Sequence, residues 1–235
     1  MSGATFGQLQ TRIAGRLIDP NNQAVSAANV SQAIQDAIDF WKTKKFYFNQ
    51  RVANITLDTT AATDGSATSD PFILLYGQTN SLYPNAPVLP QYFLYEDPDN
   101  GFVIPYSNIN YNVEKVAPEI YDNANINGVG LPYIYCFRNN AYQIYFLPQI
   151  AYTMRVNYIT DYAPLVNASD TNDFTTYADK LIEYDAIARL LADLRLDEAR
   201  ADKFNMRKEE EYNMLKTRSR KQNATGRLVI DTILA

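Results

Sequence analysis

The chain opens on a helical pattern of apolar and polar positions. Thr5, Phe6, Gly7 and Gln8 have the form of a capping box: the threonine hydroxyl accepts from the amide three residues on, and the glutamine reaches back. Leu9, Ile13 and Leu17 follow at four-residue spacing and draw one apolar stripe. Asp19, Pro20, Asn21 and Asn22 favour a turn and should stop this helix. A second helix is expected from Ser26 or Asn29 to about Lys45, burying Val30, Ile34, Ala37, Ile38 and Trp41. Lys42, Lys44 and Lys45 would fall in its last turn, where cations complement the helix dipole.

From Phe46 the period shortens to that of strands. Gln50 to Leu57 alternates, with Val52, Ile55 and Leu57 as imperfectly phased apolar members. Thr59 to Asp70 is a polar loop, and Phe72 to Tyr76 a short apolar run. Between Gly77 and Leu131 prolines, asparagines and aromatics mix without a clear period, which predicts short strands joined by long surface loops. Three alternating runs follow: Tyr133 to Phe137, Tyr142 to Phe146 and Tyr152 to Tyr158. Arg138-Asn139-Asn140 and Pro148-Gln149-Ile150 separate them at hairpin length, so a three-stranded meander is expected. Its second and third strands should meet through Tyr142, Ile144 and Phe146 against Tyr152, Met154, Val156 and Tyr158.

After a polar stretch from Asn167 to Thr175 the helical period returns. Leu181, Tyr184, Ile187, Leu191 and Leu194 share one face, and the stripe loses phase near Leu196, Asp197 and Glu198, where a break is expected. A further helix carries Phe204, Glu211, Tyr212 and Leu215 and ends in a basic run from Lys216 to Lys221. Gln222 to Gly226 should break it. Arg227 to Ala235 is an apolar, β-prone tail, which either folds back as an edge strand or docks into a partner. The resulting fold class is α+β. N- and C-terminal helices (residues 1–49 and 175–222) form a bundle, with an inserted antiparallel β domain (50–174) and an extended arm (223–235).

Composition narrows the chemistry. The 235 residues include 18 tyrosines, one cysteine and no histidine. Without histidine there is no Ser-His or Cys-His nucleophile system, and a single thiol cannot build a zinc site. Cys136, inside an apolar run, reads as a small buried hydrophobe. No run approaches the about 18 apolar residues of a membrane span, and Met1 to Thr5 carries no secretory pattern. The net charge of −5 is unevenly spread: from Val52 to Asp179 there are 13 acidic residues against Lys115, Arg138 and Arg155 alone. Glu96-Asp97-Pro98-Asp99 and Asp170-Thr171-Asn172-Asp173 are the carboxylate clusters to weigh as cation ligands or as an acid–base pair. Neither fits a calcium loop. Gly128-Val129-Gly130 is too short for a phosphate loop. No catalytic residue, metal ligand or cofactor is assigned. Lys216, Arg218, Arg220 and Lys221 are candidate contacts to phosphate or to an acidic neighbour, or simply a solvated helix end.

Three segments in this order resemble the head-to-tail adaptor proteins of tailed bacteriophages. They are the entry helix with Ala33, Ala37, Ile38 and Trp41 followed by Lys44 to Asn49; Ile144 to Pro148 followed by Met154 to Tyr158; and Asp179 to Tyr184 continuing through Ala188 to Leu191. They leave most of Thr59 to Gly130 unmatched. The resemblance implies a virion protein at the head–tail junction, made in the host cytoplasm, with no membrane contact. It also implies a closed ring of about twelve copies beneath the portal, with a tail tube or nozzle protein below and double-stranded genomic DNA in the lumen. The portal-binding role would fall on Arg227, Leu228, Val229, Ile230, Ile233 and Leu234. Another tail component, a tube or nozzle subunit, remains an alternative, as does a carboxylate-based cell-wall hydrolase, an activity some short-tailed relatives carry. The hydrolase activity is not transferred to this sequence, which offers no convincing carboxylate pair.

Overall fold

The computed structural model describes residues 3–17, 25–57, 72–75, 89–123, 129–138, 141–145, 147–148, 150–194 and 197–224. In chain order these form α1 (Phe6–Arg16), α2 (Ala27–Trp41), β1 (Gln50–Leu57), β2 (Phe72–Leu75), β3 (Phe93–Glu96), β4 (Phe102–Tyr106), β5 (Ile109–Lys115) and α3 (Pro118–Asn123). Then come β6 (Val129–Gly130), β7 (Ile134–Arg138), β8 (Ala141–Tyr145), β9 (Leu147–Pro148), β10 (Tyr152–Thr160), α4 (Asp173–Tyr177), α5 (Asp179–Asp193) and α6 (Glu198–Ala224). The protein is thus mixed α+β. It divides into two compact units, one from residues 1–49 with 162–235 and one from residues 50–161.

In the helical unit, the capping box expected at Thr5 and Gln8 is present: Thr5 Oγ1 accepts from the Gln8 amide, and Gln8 Oε1 accepts from the Thr5 amide. Phe6, Leu9 and Ile13 bury the α1 stripe. The stretch after Asn167 is a structured cap. Its carbonyls at Ala168, Asp170 and Thr175 accept from the amides of Gly7, Phe6 and Ala4, satisfying donors that a helix start leaves open. The Asp170 carboxylate accepts from the amides of Asn167 (2.7 Å) and Val166 (2.8 Å), and these bonds hold its pKa below the ordinary range. A second capping box, Asn172 with Thr175, then starts α4.

Two helical expectations need correction. First, α2 ends at Trp41, and Lys42, Lys44 and Lys45 follow the helix instead of occupying its last turn. The cause is the pair Phe46 and Phe48, whose spacing of two cannot reach one side of a helix. Both are buried, stacked at 5.2 Å, and both meet Phe174 edge-on. Asn49, fully buried, holds the turn by accepting from the Phe46 amide and donating to the Lys44 carbonyl. Second, α5 is not amphipathic along one stripe: Leu181, Ile182, Ala186, Ile187, Ala188, Leu190 and Leu191 are all buried, making it the unit's central helix. The break expected near Asp197 separates α5 from α6.

In the β unit a curled sheet runs in the order β1-β10-β4-β5-β7-β8-β2, with β3 also paired to β10. The expected meander is half present. β7 and β8 form an antiparallel pair, but β10 pairs with β1, β3 and β4, and β8 pairs with β2 on its other side. The connection is not a hairpin turn, because β9 pairs parallel with β6. Phe146 and Gln149 lie outside the described residues. Tyr142, Ile144, Tyr152, Met154, Val156 and Tyr158 do share one apolar core, but not as cross-strand pairs of adjacent strands. Nor is the sheet purely antiparallel. β5 and β7 run parallel through Glu114–Ile134 and Lys115–Tyr135, with α3 in the connection that such a pair requires. Behind the sheet, Tyr121 of α3 packs with Ile134, Cys136 and Tyr145 in a second, smaller cluster. There burial pushes the Cys136 thiol pKa up and keeps the group protonated.

Candidate assembly surfaces

The charged side chains buried deepest among the described residues of the helical unit are two carboxylates on α5, Glu183 and Asp185, each at most 2% exposed. Two residues apart on a helix, they face different neighbours. Glu183 meets Arg16 Nε at 2.7 Å and Arg12 Nε at 3.3 Å, and Arg12 also binds Asp179 at 2.9 Å. Asp185 accepts from Trp41 Nε1 at 2.9 Å and meets Arg189 at 3.2 Å and Lys208 at 3.5 Å. A buried carboxylate stripped of partners costs several kcal/mol, so these contacts fix α1, α2 and α6 in register around α5. The arrangement is structural: every carboxylate oxygen has a cation or donor beside it.

The long helix α6 buries only a narrow stripe, Ala201, Phe204, Leu215 and Ser219, with Tyr212 half-buried against Trp41 and Phe46. Ser219 Oγ accepts from the Tyr47 amide and donates to the Leu215 carbonyl. Its remaining faces are open. Lys216, Arg218, Arg220 and Lys221 are all exposed near its end. Helical spacing pairs Lys216 with Arg220 on one flank and Arg218 with Lys221 on another, so they wrap the helix end instead of forming one patch. Lys216 Nζ lies 5.8 Å above the Tyr212 ring. Arg227, Leu228, Val229, Ile230, Ile233 and Leu234 lie outside the described residues.

The β unit carries a different surface. The cluster Glu96 to Asp99 forms a turn in which Asp97 Oδ1 accepts from the amides of Asp99 and Asn100. Glu96, buried, accepts from the Tyr142 hydroxyl at 2.6 Å and pairs with Lys115. Burial pushes its pKa up, but the bonds from Lys115 and Tyr142, a backbone amide and the Lys115 charge outweigh this. The carboxyl is held below its ordinary value of 4.5. A cleft of about 710 Å³ opens beside this pair, lined by the 95–102 turn, Asn112 to Lys115 and Tyr135. Among the described residues no three carboxylate or cysteine side chains converge to hold a metal ion. The β4–β5 hairpin turns at Ser107 and Asn108 and exposes Tyr106, Ile109 and Tyr111. Beyond this hairpin, β5 is paired on its second side only at Glu114 and Lys115 among the described residues.

Both units present long, charged or aromatic faces of the kind that proteins use on one another. The sequence matches the family described as SU10 adaptor protein over residues 4–230. The chain belongs to that family. It is a bacteriophage head–tail adaptor, a structural virion protein that works by contacting other proteins of the particle. A comparison with curated proteins finds no match. No helix of the adaptor among the described residues is long and apolar enough to cross a membrane.

Sequence reasoning singled out the basic end of α6 and the Glu96 to Asp99 cluster, but not Glu183, Asp185, the bond between Glu96 and Tyr142, or the hairpin tip. A signal existed for the first two: charges at positions 183 and 185 inside a stretch that is apolar on every side of the helix must be paired. Glu96 and Tyr142 are 46 residues apart, and nothing local announces their bond.

Proposed function

We propose that this adaptor forms the closed ring that joins the portal to the tail and continues the DNA channel. In this reading residues 1–49 and 175–222 are the bundle that makes the ring body, and the β region inserted between them faces the tail. Residues 223–235 are an arm that reaches the portal, anchored by Leu228, Ile230, Ile233 and Leu234. The single observation that carries the reading is the family match across both units, since an adaptor needs a face for each neighbour and this chain supplies two units of different character. The acid excess from Val52 to Asp179 suits a lumen through which DNA slides without adhering, because like charges repel. The test is sedimentation of the full chain with its portal, and of a chain ending at Asn223. The full chain is expected to join the portal near one subunit per portal subunit, while the truncated chain stays folded and unbound. Equal binding by both would remove the arm from the function, and failure of the full chain to bind would remove the portal.

The exposed Tyr106, Ile109 and Tyr111, beside a partly unpaired strand edge, favour one second reading, a tube or nozzle subunit that docks through this hairpin. Labelled protein located in particle images separates the two by its height along the tail.

A further inference from the structure

Charge on α6 from Glu198 to Glu209 is sorted by face; Glu210 and the half-buried Glu211, which follow, lie toward the basic side. Arg200, Lys203 and Arg207 follow spacings of three and four along one flank; Glu198, Asp202 and Glu209 follow spacings of four and seven along another. At 3.6 residues per turn these flanks lie roughly 160° apart, one on each side of the buried stripe. All six side chains are exposed except Arg200, which is half-buried and donates to the Arg16 carbonyl. Among the described residues no ion pair within the chain engages Lys203, Glu198, Asp202 or Glu209. On the basic side the helix borders a cleft of about 440 Å³ in which Arg16 joins Arg200, Lys203 and Arg207 around the Phe204 ring. Asp197, the one carboxylate lining it among the described residues, is occupied in capping the Arg200 amide. Arg16 is already held by Glu183 and by the Tyr184 ring. Among the described residues the cleft is therefore a fixed basic receptor with no acidic side chain of its own chain seated in it.

We infer that the occupant is a second copy of this chain, presenting the Glu198–Asp202–Glu209 flank of its own α6. The inference deepens the ring reading and rests on it for closure. Two different flanks that complement each other make a head-to-tail contact, which repeats around a ring and does not end at a dimer. Rotation about an axis along α6 keeps the helices parallel and at one height. The acidic residues, at positions 198–209, then stand level with the basic ones at 200–207. The second half of α6 does not share this property. There Arg218 and Lys221 on the basic side would face Lys216 and Arg220 of the neighbour, so attraction is confined to the first three turns.

Four full-length chains test it: wild type, Lys203→Glu with Arg207→Glu, Asp202→Lys with Glu209→Lys, and the fourfold swap. The readout is self-association, followed as the osmotic second virial coefficient across a salt series, together with saturation of the portal. Wild type is expected to attract itself less as salt rises. Each one-flank variant is expected to associate about tenfold more weakly, and the fourfold swap to recover wild-type behaviour. The acidic-flank variant decides between pairing and bulk charge. It brings the net charge of −5 to about −1, which by bulk repulsion alone would strengthen association. Stronger association of that variant, failure of the swap to recover, or a wild type with no salt-sensitive attraction would each overturn the inference. If the flank pattern is seen while the portal is ignored, the contact stands and the portal reading falls. If all four chains saturate the portal alike, the ring reading stands without this contact.

Discussion

Gly7 and Gly15 sit eight residues apart on α1 and differ in what a methyl group would meet. A Cβ on Gly7 would lie 2.9 Å from the Ala168 Cβ and 3.1 Å from its carbonyl oxygen, against the loop that caps the helix. A Cβ on Gly15 would meet nothing within 4 Å. Alanine is the better helix former by about 1 kcal/mol, so Gly15→Ala should raise stability by about 0.5–1 kcal/mol. At Gly7 the same gain is opposed by overpacking against backbone, which costs about 1–3 kcal/mol, and Gly7→Ala should lower the melting temperature. Thermal unfolding of the two variants checks the pair; equal shifts would mean that the 166–172 loop yields freely. This contrast was only partly legible in the sequence. Thr5 and Gln8 announced the helix start because a capping box is local, whereas the reason for Gly7 lies 161 residues away in a loop that reads simply as polar.

Element by element, what the sequence disclosed tracks how local each cause is. Helices α1, α2, α5 and α6 were readable from spacing, and β7–β8 from alternation around a short turn. The partner of β10 was not, since an alternating run fixes which residues share a face but not which strand lies beside it. Here β10 is taken by β1, nearly a hundred residues earlier, in unbroken register from Gln50–Ile159 to Leu57–Tyr152. The β4–β5 hairpin was hidden for a different reason. Its turn residues, Ser107 and Asn108, adopt φ of 49° and 65°, the primed geometry usually announced by an asparagine–glycine pair. The double substitution Ser107→Asn with Asn108→Gly installs that pair and should stabilise the β unit by about 1 kcal/mol by relieving left-handed strain. Urea unfolding followed by tyrosine fluorescence reads this directly. A loss of stability would mean that the wild-type side chains hold the hairpin in some other way.

At the scale of the whole molecule, the two units bury different residues. The helical core runs from Ala4 to Leu215 through Trp41, Phe174 and α5, and the β core from Leu57 to Tyr158, with no member in common. Each also has buried carboxylates, and Asp185 in one and Glu96 in the other respond to different perturbations. Asp185→Ala leaves the Trp41 indole N–H without its acceptor and Lys208 without its counter-charge, and should destabilise the helical unit by about 3–5 kcal/mol. Glu96 acts through pH. Its pKa is lower in the folded protein than the unfolded value near 4.5, so its contribution is complete above that pH and fades as pH falls through the folded value. Glu96→Gln should therefore flatten the acid limb of stability for the β unit, while also weakening that unit at neutral pH, where the Lys115 pair is lost. Scanning calorimetry of the full chain between neutral pH and about pH 3 is expected to resolve two transitions. Asp185→Ala should lower one at every pH, and Glu96→Gln should reduce the acid sensitivity of the other. A single transition that both variants shift together would show instead that the adaptor folds as one cooperative body, and that the face it offers to one neighbour in the particle is energetically tied to the face it offers to the other.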